Sequence, residues 1–203
     1  MSLDQLAPGE LAAVVTYLEM HAPPARPAIF PSTLRLARRE SITPEAYRTL
    51  FRAVGGPWLW FSRLVMNDAD LGAIIHNPDV ALFAVIDQAD VEVGMIELDF
   101  RVAAECELSF IGLVPSLTGQ GHGRWLLAEA TSRAWRPGVT RVHVHTCTLD
   151  HPAAASAYCR AGFTAYARAV ERFADPRLAG ILPTDCAPQL ALLGTLGSAT
   201  RCA

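Results

Sequence analysis

The segment LVPSLTGQGHGRWLL, residues 113–127, has the residue types and spacing of an anion-binding turn. An apolar strand runs into a short loop, and Gly119, Gly121 and Gly123 then open a helix. Glycine lets backbone N–H groups come close to an anion, and the helix N-terminus adds a positive partial charge. Such a turn can hold a pyrophosphate without a Lys. All 17 Lys+Arg residues of this chain are Arg. On its own, G-x-G-x-G spacing also fits a plain helix-entry loop. A dinucleotide site would place the glycines directly after the first strand of a βαβ unit, with an acid at the end of the next strand. Here Pro115–Thr118 intervene, and the next strand, Thr140–Cys147, has no Asp or Glu. A second cluster, His143, His145, Cys147 and His151, offers ligand types that suit zinc. Residues 143, 145 and 147 share one face of a strand, but ligands two apart on a straight strand diverge too far for one tetrahedral ion. No metal is expected.

The absence of Lys excludes Walker-type phosphate binding, the usual kinase chemistry and Schiff-base catalysis. The net charge of −3 argues against a nucleic-acid binder. No apolar run reaches the roughly 18–20 residues of a membrane span, and the first ten residues do not read as a secretory signal. Five scattered cysteines, Cys106, Cys147, Cys159, Cys186 and Cys202, suggest reduced thiols in a cytoplasm rather than a disulfide framework. With 203 residues and 51% hydrophobic content, one domain with a substantial core is expected.

The elements that must carry these residues can be read in order. Ala12–Leu18 is a strand, and the proline-rich stretch His21–Ser32 (Pro23, Pro24, Pro27, Pro31) is a connection. Leu34–Arg39 is a strand. Ser41–Gly56 is a helix with Thr43 as its cap and Pro44 at its first position. The loop PWLWFSR follows, then a helix over Asn67–His76. Val80–Asp87, Val91–Phe100 and Glu105–Val114 have short connections and read as an antiparallel meander. Gly121–Arg136 is a helix, Thr140–Cys147 a strand, Asp150–Ala161 a helix capped by Asp150 or His151, and Phe163–Glu171 a last strand. The tail from Asp175 carries no clear pattern.

The order strand, Val-Pro, loop, Gly121-His-Gly123-Arg-Trp-Leu126-Leu127 helix, strand, and then a helix with Tyr158-Cys-Arg-Ala-Gly162-Phe163 resembles the GCN5-related N-acetyltransferases. The likeness covers Val80–Glu171 well and Leu34–His76 loosely. It extends to a bacterial subgroup with a G-R-W-L-L helix and a V-H-T-C-T-L-D-H-P strand end. Thr118 stands where Arg or Gln is usual in that family, and His151 where Asn is frequent.

The resemblance implies an α/β fold. One mixed, mostly antiparallel central sheet would carry a splayed strand pair and about four flanking helices. Residues 1–174 would form the domain, with 1–33 as an N-terminal strand and lead-in and 175–203 as a tail. It implies acetyl-CoA as cosubstrate and direct transfer to a primary amine, small molecule or peptide, by a cytoplasmic protein that could form a homodimer. The alternative is a non-catalytic acyl-CoA-binding or sensory module on the same fold.

Pantetheine would lie between Glu105–Val114 and Thr140–Cys147, pairing with Ile111, Gly112, Leu113 and Val114. The pyrophosphate would rest on Thr118, Gly119, Gln120, Gly121, His122, Gly123 and Arg124, with His151 and Tyr158 beside the cofactor. Glu107 is the expected base, acting directly or through water, and Glu105 the runner-up; strand alternation puts both on one face with Ser109 and Ile111. The other reading of Glu107 is a solvated strand carboxylate. Tyr158 would protonate the departing thiolate, or serve as a core aromatic. Trp58, Trp60 and Arg63 would border the acceptor pocket, Arg63 suiting an acceptor with a carboxylate or phosphate.

Overall fold

The computed structural model describes residues 3–25 and 29–193; Pro27, Cys202 and the last part of the tail lie outside the described residues. Among the described residues seven strands form one sheet: β1 Glu10–Met20, β2 Arg35–Arg38, β3 Val80–Ile86, β4 Glu92–Asp99, β5 Glu105–Leu113, β6 Arg141–Cys147 and β7 Thr164–Ala174. Their order is β2-β3-β4-β5-β6-β1-β7. Every pairing is antiparallel except β5 with β6. The helices are α1 Pro44–Gly55, α2 Asp68–Ile75, α3 His122–Ala134 and α4 Ala154–Arg160.

The helices cover both faces because each presents an apolar stripe. In α1, Tyr47, Leu50, Phe51 and Val54 recur at helical spacing and are buried with Leu82, Ala84 and Met95. The helix starts as its sequence requires: Thr43 Oγ1 accepts the N–H of Ala46 at 3.2 Å, and Pro44 follows. On the opposite face, Leu126, Leu127 and Ala130 of α3 and Tyr158 of α4 pack on Ile96, Leu98, Leu108, Val142 and Val144.

Three features depart from the sequence reading. First, β1 runs from Glu10 to Met20 and inserts between β6 and β7, pairing Tyr17 with His145 on one side and with Ala167 on the other. Second, β5 carries a bulge. Leu108 pairs with Leu98 and Phe110 with Glu97, so Ser109 is the extra residue. The bulge reverses the alternation beyond it. Phe110 and Gly112 lie on the α1 face with Glu105 and Glu107, while Ile111 and Leu113 turn to the α3 face. Ile111 therefore does not share a face with Glu107. Third, α4 starts only at Ala154 and has no side-chain cap. Asp150 turns back instead to the end of β6, where Oδ2 accepts the N–H of Cys147 and the hydroxyl of Thr146, both at 2.8 Å.

The parallel β5–β6 ladder pairs Glu105 with Arg141, Cys106 with Val142 and Glu107 with His143, and then stops. Beyond Glu107 the Ser109 bulge adds twist and bends β5, and the two strands diverge as the splayed pair. The tail has structure of its own. Leu182, Ala187 and Leu190 pack with Leu59, Phe61, Ala13 and Cys147, on the face that carries the Trp loop. The anchor is Arg177. Its side chain is 1% exposed; it forks onto the Asp175 carboxylate and donates through Nη1 to the carbonyls of Cys186, Ala187 and Leu190.

Candidate active site

The turn after β5 is a main-chain cradle. A short 3-10 turn at Pro115–Leu117 closes with the N–H of Thr118 on the carbonyl of Pro115. The Gln120 side chain donates to Ser116 O at 2.8 Å. Gly119 and Gly121 then take φ of +80° and +86°, a region that glycine enters without strain. Gly121 caps α3 with no side chain over the helix end. A Cβ at Gly119, Gly121 or Gly123 would meet nothing within 4 Å, so the surface above the helix N-terminus is open. Among the described residues, the N–H groups of residues 119–123 reach no backbone acceptor. Two side chains of this loop are engaged within the chain. His122 Nδ1 lies 2.9 Å from Ser32 Oγ, and the Arg124 guanidinium lies over the Phe30 ring at 5.4 Å.

The gap between β5 and β6 is bordered on the α1 side by Trp60. Its ring packs on Phe110 (centroids 5.2 Å apart) and Phe51 (5.6 Å). A Cβ on Gly112 would come within 2.7 Å of Val54 Cγ1 and 3.3 Å of the Trp60 ring, so the room this glycine leaves on that face is filled by Val54 and Trp60. Gly55 is needed for the same reason: its Cβ would lie 2.3 Å from the indole. The indole N–H donates to Asp150 Oδ1 at 3.2 Å, beyond the end of β6. Trp58 stands edge-on to His151 at 5.4 Å, and His151 Nδ1 accepts the N–H of Ala153.

At the root of the gap, Glu107 Oε1 lies 3.4 Å from His145 Nδ1 and Glu105 Oε2 lies 3.4 Å from His143 Nε2. Arg141 donates to Glu105 at 2.9 Å and to Glu19 at 2.8 Å. His145 holds the Glu107 carboxyl below the usual range, and Glu107 raises the imidazole in turn. His143 is pushed down by burial, which outweighs the nearby carboxylates. Tyr158 packs edge-on to Phe163 at 5.8 Å. The Tyr158 side chain is buried. Burial, with the Asp150 charge, pushes the phenol well above its ordinary range.

Arg63 is held away from solvent. Its Nη2 donates to Glu97 at 2.7 Å, and Glu97, fully buried on β4, also accepts the Tyr47 hydroxyl at 2.5 Å. The guanidinium lies over Phe110 at 5.2 Å, and its Nε is buried without a partner among the described residues. Sequence reading missed this triad, the His145–Glu107 pair and the Trp60–Asp150 bond. Each joins residues at least 34 positions apart.

The fold thus sets a parallel strand pair that opens beside a glycine-lined helix N-terminus in a mostly antiparallel sheet. The family model for the acetyltransferase (GNAT) family matches residues 44–163, and the chain belongs to that family. Solved structures share the fold. A GCN5-related N-acetyltransferase from Sphaerobacter thermophilus is 20% identical, with a TM-score of 0.56 over 82% of this chain and 52% of that one. A GCN5-related N-acetyltransferase from Kribbella flavida is 19% identical, with a TM-score of 0.52 over 85% and 63%. A GNAT-family acetyltransferase structure from Novosphingobium aromaticivorans is 16% identical, with a TM-score of 0.55 over 81% and 67%. The chain spans between half and two thirds of the length of these three. No curated protein matches it in sequence. No helix among the described residues is long and apolar enough to cross a membrane.

Proposed function

We propose that this chain transfers the acetyl group of acetyl-CoA to a primary amine, of a small molecule or a peptide, without an acyl-enzyme. The observation that carries the reading is the open glycine cradle at the mouth of the β5–β6 gap. Backbone N–H groups of Gly119–Gly123, assisted by the α3 dipole and by Thr118, would take the pyrophosphate. The edge of Ile111–Val114 that faces β6, beyond the last parallel pair, would take the pantetheine amides as one more strand would. The thioester would then lie at the root of the gap. Glu107, with His145 against it, stands on the α1 face where the amine would lose its proton, and Tyr158, on the α3 face, would return one to the thiolate.

Trp58, Trp60 and the tail around Leu190 frame the α1 side, from which the acceptor would enter. Arg63 would act on that pocket only through its grip on Glu97 and Phe110. Four free cysteines among the described residues suit a reducing cytoplasm.

The test is CoA release with and without a panel of amines, read together with the mass shift of the acceptor. Amine-dependent release establishes the transfer. Acetyl-CoA binding without it makes the chain an acyl-CoA-binding module. No binding at all removes the cradle reading.

A further inference from the structure

We infer that the proton of the acceptor amine is taken by His145, with Glu107 as the group that positions it; this rests on the transfer reaction proposed above. The last parallel pair is Glu107 with His143, so His145 is the next residue on that face of β6, and the first one past the point where the strands separate. His143 remains inside the ladder. Its carboxylate neighbour, Glu105, is shared with Arg141. His145 meets Glu107 alone, through Nδ1 at 3.4 Å, with its ring beside that of Tyr17 at 6.1 Å.

A carboxylate facing Nδ1 favours the tautomer with the proton on that nitrogen. The lone pair is then on Nε2, free to accept a proton. The His145 side chain is 48% exposed and that of Glu107 33%, so the imidazole is the more accessible of the two. Other charges face the pair: Asp150 after β6, Glu171 on β7, Asp99 on β4 and His143 on β6 itself. The acids among them favour the imidazolium that must form.

The step balances without any further reactant. The amine nitrogen attacks the thioester carbonyl and the C–N bond forms. The nitrogen's proton moves to His145 Nε2, the C–S bond breaks, and the thiolate takes a proton from Tyr158 or water. His145 then returns its proton to solvent, and Tyr158, where it was the donor, regains one from there.

The test compares His145→Gln with Glu107→Gln in the full chain, on two amines of different pKa. A low-pH limb that moves with the amine belongs to the acceptor, and one that stays belongs to the protein. For His145→Gln, kcat should fall roughly 10²–10⁴-fold with the KM for acetyl-CoA unchanged, and free imidazole should restore part of the rate to His145→Ala. For Glu107→Gln the protein's limb should persist but move to lower pH, because the imidazole has lost the carboxylate that raises it. Wild-type turnover in His145→Gln, or a limb erased by Glu107→Gln alone, overturns the inference and returns the proton to Glu107. If wild type shows no turnover with any amine, the transfer reading falls and the inference falls with it. A melting temperature within a few degrees of wild type confirms that each variant is folded.

Discussion

The indole N–H of Trp60 bonds to the carboxylate of Asp150 across the mouth of the splayed strands, tying the α1–α2 connection to the turn that follows β6. The same carboxylate holds the end of β6 through Thr146 and Cys147. One acid thus fixes the width of the gap from both sides. Trp60→Phe loses the bond and also the outer indole ring that packs over Gly112, at a cost of roughly 2 kcal/mol. Asp150→Ala releases three donors at once and should cost more, about 2–3 kcal/mol. Urea unfolding of the two single variants and the double variant measures the coupling, and additive losses would show that the bond is incidental.

Gly123 offers a clean test of the cradle. Unlike Gly119 and Gly121, it does not require a positive φ, and a side chain there meets no neighbour. Gly123→Val should therefore fold and still fill the space above the helix end. Wild type should gain melting temperature with saturating acetyl-CoA, since a ligand of the native state alone stabilises by RT ln(1 + [L]/Kd). The variant should gain none. A normal shift in Gly123→Val would move the anion site elsewhere.

Tyr158→Phe removes a hydroxyl and leaves the packing against Phe163. Binding of acetyl-CoA should persist while kcat falls on the order of 10–10²-fold, as expected when a leaving thiolate loses a proton donor. Unchanged turnover would make Tyr158 a core aromatic.

Trp58 is half-buried and stands against His151 rather than in a core cluster. Trp58→Ala should raise the KM for the amine about tenfold, equivalent to roughly 1.4 kcal/mol, and leave that for acetyl-CoA unchanged. A loss of stability with both KM values intact would show a packing role instead.

The tail makes stability depend on acid. Burial pushes the Asp175 carboxyl up, but the side-chain and backbone bonds from Arg177 outweigh it and leave the group below 3.8. A lowered folded pKa means that the contribution is complete above the unfolded value and is lost as pH falls through the folded one. Wild type should therefore lose tail-dependent stability below about pH 4, and Asp175→Asn should show less of that loss. Arg177→Ala leaves a buried carboxylate alone and should cost about 3–5 kcal/mol at neutral pH.

Local physics made much of this molecule legible. The glycine turn could be read because backbone approach and positive φ demand glycine wherever they occur, and α1 because Thr43, Pro44 and an apolar stripe agree. The Ser109 bulge was not legible. ECELSFIGL alternates acceptably in either register, and only the partner strand shows that Glu97 faces Phe110. Arg63 read as a cation bordering the acceptor pocket, because nothing local announces a buried Glu97 on a strand 34 residues away. Asp150 read as a helix cap because an acid two residues before a proline fits that role. The chain used it to close a strand end, since Thr146, Cys147 and Trp60 all offered donors there.

The place of β1 gives the domain an order of assembly. Its neighbours, β6 and β7, begin at Arg141 and Thr164, so β1, made before the other strands of its sheet, is among the last to be paired. Until then the apolar stretch AAVVTYL has two unsatisfied edges, and β6 lacks the strand on which it rests. Contacts so distant in sequence are entropically costly to close and slow to form. The meander and its helices can collapse early, whereas the wall of the gap that carries His145 can be completed only when β1 has reached β6 and β7. Catalytic competence should accordingly lag behind compaction during refolding, and the lag is the time β1 takes to find its slot.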